Sequence, residues 1–107
     1  MNLVASDLDT LERVGTALAD RTRRRILVRL IDGAAYPAEL AEALEAGRAN
    51  ISNQLACLRG CGLVRATREG RFIRYELADP HLAEALRLLV DMPLSTQAGH
   101  ADLDGRR

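Results

Sequence analysis

The sequence predicts a small, mainly α domain (α+β) of about five helices, with one two-stranded β-hairpin between the fourth and the fifth. Three observations carry this. Apolar residues recur at three- and four-residue spacing from about residue 6 to 59, and again from 80 to 92, which is a helical period. Between Leu63 and Leu77 the period falls to two, with Ile73, Tyr75 and Leu77 alternating with Phe72, Arg74 and Glu76. The breaks coincide with turn residues at Asp32-Gly33, Glu45-Ala46-Gly47, Gly60 and Gly62. The 107 residues are one domain's worth, 48% of them hydrophobic. Only Phe72, Tyr36 and Tyr75 are aromatic, so aliphatic side chains must fill the core.

The first helix, about Ser6 to Ala19, carries Leu8, Leu11, Val14 and Leu18 behind a Ser6/Asp7 cap signal. Asp20 is the expected cap of a second helix with Ile26, Leu27, Leu30 and Ile31 as its core stripe. Arg21, Arg23, Arg24 and Arg25 in its first turns read as a solvated basic face. Pro37 opens a short third helix, where its missing N–H costs nothing, and Leu40, Ala41 and Leu44 point inward. The fourth helix runs from about Arg48 to Arg59 on Ile51, Leu55 and Leu58. Arg68-Glu69-Gly70-Arg71 is the hairpin reversal. The fifth helix, about Pro80 to Met92, is apolar on more than one face (Leu82, Ala85, Leu86, Leu88, Leu89, Val90), which predicts a homodimer interface. Two short helices joined by a tight turn and followed by a basic-tipped hairpin make a winged helix-turn-helix. Residues 1–92 form this DNA-binding and dimerisation domain; the polar segment 93–107 reads as a flexible tail.

The formal net charge is zero, 15 Lys+Arg against 15 Asp+Glu, yet the distribution is uneven. All of the cations are Arg. Arg48, Arg59, Arg65, Arg68, Arg71 and Arg74 face only Glu69 and Glu76 across residues 46–76, whereas residues 77–105 are acidic. Such a chain can still present one positive face to a polyanion. Arg48, Asn50, Ser52, Asn53 and Gln54 occupy the polar side of the fourth helix near its start, as a readout helix requires. Asn and Gln can pair bidentately with adenine, and Arg with guanine. Arg68 and Arg71 at the hairpin tip can reach phosphate or the minor groove. The implied partner is double-stranded operator DNA with inverted half-sites about one helical turn apart.

Cys57 and Cys61 stand at i,i+4, on one side of a helix. Thiolates so placed can close on one soft cation at roughly 2.3 Å. The same spacing also suits a reversible disulfide, or two small thiols packing a helix end. No apolar run approaches the roughly 18 residues of a membrane span, and no secretory signal is visible, so a cytoplasmic protein without a membrane partner is expected. None of the nucleotide-binding, esterase or metalloprotease signatures occurs, so neither an enzyme nor an organic cofactor is expected.

The segments ALADRTRRRIL (17–27), YPAELAEALEAGRANISNQLACLRGCGLV (36–64) and VRATREGRFIRYEL (64–77) resemble the ArsR/SmtB family of metal-responsive transcriptional repressors. Arg21 stands where that family usually has Pro. LACLRGCGLV is most similar to the cadmium/lead sensors of CmtR type, which carry a Cys pair on and just past the recognition helix. The resemblance implies a dimeric repressor that leaves its operator when Cys57 and Cys61 bind a thiophilic metal ion: cadmium, lead or zinc. In those sensors a third Cys from the C-terminal tail completes the site. Here the tail has none; ungapped counting puts Asp102 near that position, with His100 two residues before it. A nitrogen or oxygen donor is harder than sulfur and favours zinc. The family's third-helix thiolate site would need Cys near 36–40, which is missing, and its last-helix site is matched only by Asp79 and His81. A regulator without metal sensing, redox-controlled or otherwise, and a protein-interaction module on the same scaffold are the alternatives.

Overall fold

The structure, a computed structural model, describes residues 1–95. It runs α1 (Ala5–Leu18), α2 (Arg21–Ile31), α3 (Pro37–Leu44), α4 (Arg48–Gly60), β1 (Val64–Glu69), β2 (Phe72–Leu77) and α5 (Pro80–Val90). This is the expected winged helix-turn-helix, with α5 ending two residues early at Val90.

The helix starts follow from where carboxylates sit. Asp20 caps α2 as expected, accepting the Arg23 N–H at 3.0 Å. The Ser6/Asp7 cap of α1 needs correction. The cap position is Val4, whose side chain accepts nothing, and Asp7 one turn inside reaches back to the Val4 N–H at 3.0 Å. Glu39 does the same for α3, taking the Tyr36 N–H at 2.9 Å behind Pro37. The turn into α4 passes through Glu45 in the left-handed region (φ 52°), where the Ala46 N–H reaches the Ala41 carbonyl at 2.9 Å.

Packing centres on α2, which touches α1, α3, α4, α5 and β2. Ile26, Leu27 and Leu30 meet Leu40 and Ala41 of α3, Ile51, Leu55 and Leu58 of α4, and Leu63, Val64 and Leu86. No polar or charged side chain is buried among the described residues. Val14 and Leu18 reach this core from α1, but Leu8 and Leu11 stay exposed. On α5, Leu86 is buried while Leu88, Leu89 and Val90 face outward. α1 and α5 therefore each carry an uncovered apolar face.

The wing is an antiparallel pair from Val64↔Leu77 to Glu69↔Phe72, closed by Gly70 (φ 64°) and Arg71. Ala35, just before α3, forms a bridge that the sequence pattern did not reveal. It exchanges both backbone hydrogen bonds with Tyr75 at 2.9 Å and ties the wing to the helical body. No helix among the described residues is long and apolar enough to cross a membrane.

Candidate DNA interface and thiol pair

Buried Ile51, Leu55 and Leu58 fix the roll of α4, so the opposite side is determined. Arg48, Asn50, Ser52 and Asn53 are exposed there, and Gln54 is half-buried at the edge. Gln54 is not free. Its Oε1 accepts from Arg23 Nη1 at 2.9 Å, and its Nε2 donates to Asn50 Oδ1 at 3.4 Å. Arg23 also donates from Nε to the Ala17 carbonyl (3.2 Å) and from Nη2 to the Thr16 carbonyl (2.9 Å). Arg24 donates to Leu18 at 2.9 Å and Arg25 to Leu44 at 2.8 Å. The solvated basic face expected of α2 holds for exposed Arg21 and Arg24 but is corrected for half-buried Arg23 and Arg25. These guanidiniums satisfy the open carbonyls at the ends of α1 and α3, where the helix dipole also favours cations. Nothing in the local sequence signals this, because Arg23 and Gln54 are 31 residues apart.

On the wing, carboxylates take up two of the four arginines. Arg65 pairs with Glu76 at 3.0 Å, and Arg74 bridges Glu69 at 3.0 Å and Glu76 at 3.3 Å. Arg68 and Arg71 are exposed and join no ion pair among the described residues, which leaves them for an external anion. The tip is latched to the start of α3. The Tyr36 hydroxyl donates to Glu69, and the Tyr36 and Phe72 rings meet edge to face with centroids 6.0 Å apart. That hydrogen bond holds the Glu69 carboxyl below its ordinary range, helped by Arg74, and raises the Tyr36 phenol.

Cys57 and Cys61 are both half-buried free thiols. Cys61 is the C-cap of α4, its N–H donating to the Cys57 carbonyl at 3.0 Å. Gly62 (φ 80°) then lets the chain leave toward β1. Cys61 opens into a shallow groove shared with Asp9, Glu12, Arg13 and Thr16 of α1. Among the described residues no group of three His, Cys, Asp or Glu is placed to hold a metal ion. His100 and Asp102 lie outside the described residues. Asp79 caps α5, accepting the His81 N–H at 2.7 Å with His81 Nδ1 at 2.8 Å, and both side chains are exposed. The His81 N–H also draws the Asp79 pKa down.

Residues 20–66, from the cap of α2 into β1, match the model of the arsR family of bacterial regulatory proteins. The HTH-type transcriptional regulator CmtR of Mycobacterium tuberculosis (strain ATCC 25618 / H37Rv) is 61% identical over 85 residues, 79% of this chain and 72% of that protein. The chain belongs to the ArsR family. It is accordingly a regulator of transcription that binds operator DNA, and not an enzyme. An NMR structure of the cadmium metal-sensor CmtR from M. tuberculosis superposes with a TM-score of 0.66 at 59% identity, covering 81% of this ArsR chain and 91% of that one. A homodimeric winged helix-turn-helix DNA-binding domain from Mycobacterium bovis, a possible ArsR-family regulator, gives a TM-score of 0.74 at 35% identity, with 80% of each chain covered.

Proposed function

We propose that the protein is a cytoplasmic, homodimeric repressor. It grips an inverted-repeat operator through α4 and the wing tip, and it releases that DNA when Cys57 and Cys61 bind a thiophilic divalent cation. The observation that carries this is the position of the thiols. Both are half-buried at the C-terminal end of the readout helix, and Cys61 shares a groove with α1. That the solved relative is a cadmium metal-sensor supports the same chemistry. A pair of thiolates supplies two soft donors. A complete site needs a further donor, for which we propose His100 or Asp102 of the tail segment 93–107. A tail donor of nitrogen or oxygen type moves preference from cadmium and lead toward zinc.

Dimerisation within residues 1–92 is supported by the uncovered apolar faces of α1 and α5: Leu8 and Leu11, with Leu3 and Val4 just before them, on the one, and Leu88, Leu89 and Val90, with Met92 just after, on the other. Burying such faces against a second copy removes apolar surface from water at about 25 cal/mol per Å². DNA contact is assigned to Arg48, Asn50, Ser52, Asn53 and Gln54 for bases and near phosphates, and to Arg68 and Arg71 for backbone.

An effector loosens DNA only by as much as it prefers the free form, typically about 1–3 kcal/mol, so operator affinity should fall roughly 5- to 150-fold. The test is titration of cadmium, lead and zinc against operator binding, for wild type, Cys57→Ser and a chain truncated after Pro93. Loss of the response in Cys57→Ser is expected, and a full response there would refute metal sensing at this pair. A truncated chain that responds like the full one would remove His100 and Asp102 from the site.

A further inference from the structure

We propose that Arg23 is a positioning residue for operator binding: it holds the Gln54 side chain in place before DNA arrives, so that ordering this side chain costs nothing at the moment of binding. This rests on α4 being the readout helix. Freezing a side chain with as many rotamers as Gln at an interface lowers affinity about 2- to 12-fold. Gln54 is already held, its Oε1 accepting a part-buried, charge-assisted hydrogen bond from Arg23 Nη1 at 2.9 Å. Arg23 is held in turn. Its Nε donates to the Ala17 carbonyl at 3.2 Å and its Nη2 to the Thr16 carbonyl at 2.9 Å. A planar guanidinium tied through all three nitrogens cannot turn, which makes it a rigid bracket.

Two features assign this bracket to DNA binding and not only to the fold. Ile51, Leu55 and Leu58 already seat α4 in the core, and the α1 carbonyls take the Nε and Nη2 donors without any help from Nη1. What the Nη1 bond adds is order at one side chain on the edge of the exposed polar face. That bond also leaves Gln54 equipped to read. An amide oxygen accepts two hydrogen bonds, so Oε1 keeps an acceptor site beside the NH2 donors. Arg23, half-buried and committed at every nitrogen, acts on DNA through Gln54 and not by touching it.

The test uses the full chain, an operator selected from random duplexes, and a random duplex of the same length. The ratio of the two affinities is the readout, because a smaller folded fraction lowers both alike and cancels. Arg23→Met keeps most of the stem and removes every side-chain donor. Over the two protomers of a dimer the ratio should fall about 5- to 150-fold. It should also fall in Gln54→Ala, and the double variant should fall no further than Gln54→Ala alone. The salt slope of Arg23→Met should match wild type. An unchanged ratio in folded Arg23→Met makes the residue purely structural and overturns the proposal. So does a wild-type ratio in Gln54→Ala, or an Arg23→Met loss that persists in the double variant, since either routes the effect around Gln54. A slope shallower by about 1.8 makes Arg23 a phosphate contact and overturns it as well. If Arg23→Met does not fold, side-chain amide relaxation in the free wild-type protein decides: a Gln54 NH2 as rigid as the backbone is expected, and one as mobile as that of exposed Asn53 overturns the bracket. Equal losses on operator and random DNA for alanine at Asn50, Asn53 and Gln54 would instead refute α4 as the readout helix.

Discussion

The wing makes a sharp electrostatic prediction, because its arginines differ in what they already hold. Arg65 lies 3.0 Å from Glu76, whereas Arg71, at the tip, has no carboxylate partner among the described residues. A side chain that neutralises a phosphate steepens the fall of log K with log[salt] by about 0.9 per contact. A dimer presents two wings, so Arg71→Ala removes two contacts and the slope should become shallower by about 1.8. Between about 50 and 200 mM salt, wild type should lose roughly tenfold more affinity than the variant does. Arg65→Ala leaves Glu76 paired with Arg74 alone and removes no DNA contact, so its slope should stay close to that of wild type. Fluorescence anisotropy on an operator duplex across a salt series measures all three proteins. A slope for Arg65→Ala as shallow as that for Arg71→Ala would refute the division into paired and free arginines. An unchanged slope for Arg71→Ala would refute wing-tip contact with phosphate.

Asp20→Ala should lower stability by about 1 kcal/mol through loss of the α2 cap, visible as an earlier thermal midpoint. Leu55→Ala, which empties a fully buried site on the core side of α4, should cost about 2–5 kcal/mol in denaturant unfolding. Leu88→Glu puts a charge on the outer face of α5 and should shift the protein to monomers in sedimentation, with operator affinity falling alongside. The latch between Tyr36 and Glu69 should be present at neutral pH and lost at both extremes. The depressed Glu69 carboxyl contributes above its ordinary 4.5 and stops doing so as pH falls through its lowered value. The raised Tyr36 phenol contributes below its ordinary 10.0 and stops as pH rises through its elevated value. Amide shifts of Gly70 and Arg71 should report both transitions, and flat shifts across the acid range would exclude the latch.

The order of helices and hairpin was legible in the sequence because each core stripe has one period and each break a turn residue. Ile51, Leu55 and Leu58 place α4 correctly, and with it the exposed polar face. What stayed hidden depends on long separations or on geometry that composition does not encode. The α1 cap was misplaced because its carboxylate acts from inside the helix rather than ahead of it. Arg23 and Arg25 look like surface charge until the ends of α1 and α3 are brought beside them. Alternating signs on β1 and β2 could have suggested which wing arginines are paired, since Arg65 opposes Glu76 directly. The Cys57/Cys61 pair was visible from spacing alone, but its neighbourhood with Asp9 and Glu12 of α1 was not.

The placement of the aromatic residues has a practical consequence for watching this molecule work. The chain has no Trp, two Tyr and one Phe. Tyr75 and Phe72 are on β2, and Tyr36 rests against Phe72 from the base of α3. Near-ultraviolet dichroism and tyrosine emission therefore come from the wing and its anchor alone, while the helical body is optically silent in that range. Phenol emission is sensitive to a carboxylate hydrogen-bonded at its hydroxyl, as Glu69 is at Tyr36. The unlabelled protein thus carries its own optical probe at the hairpin, able to separate movement of the wing from movement of the helices during a DNA titration.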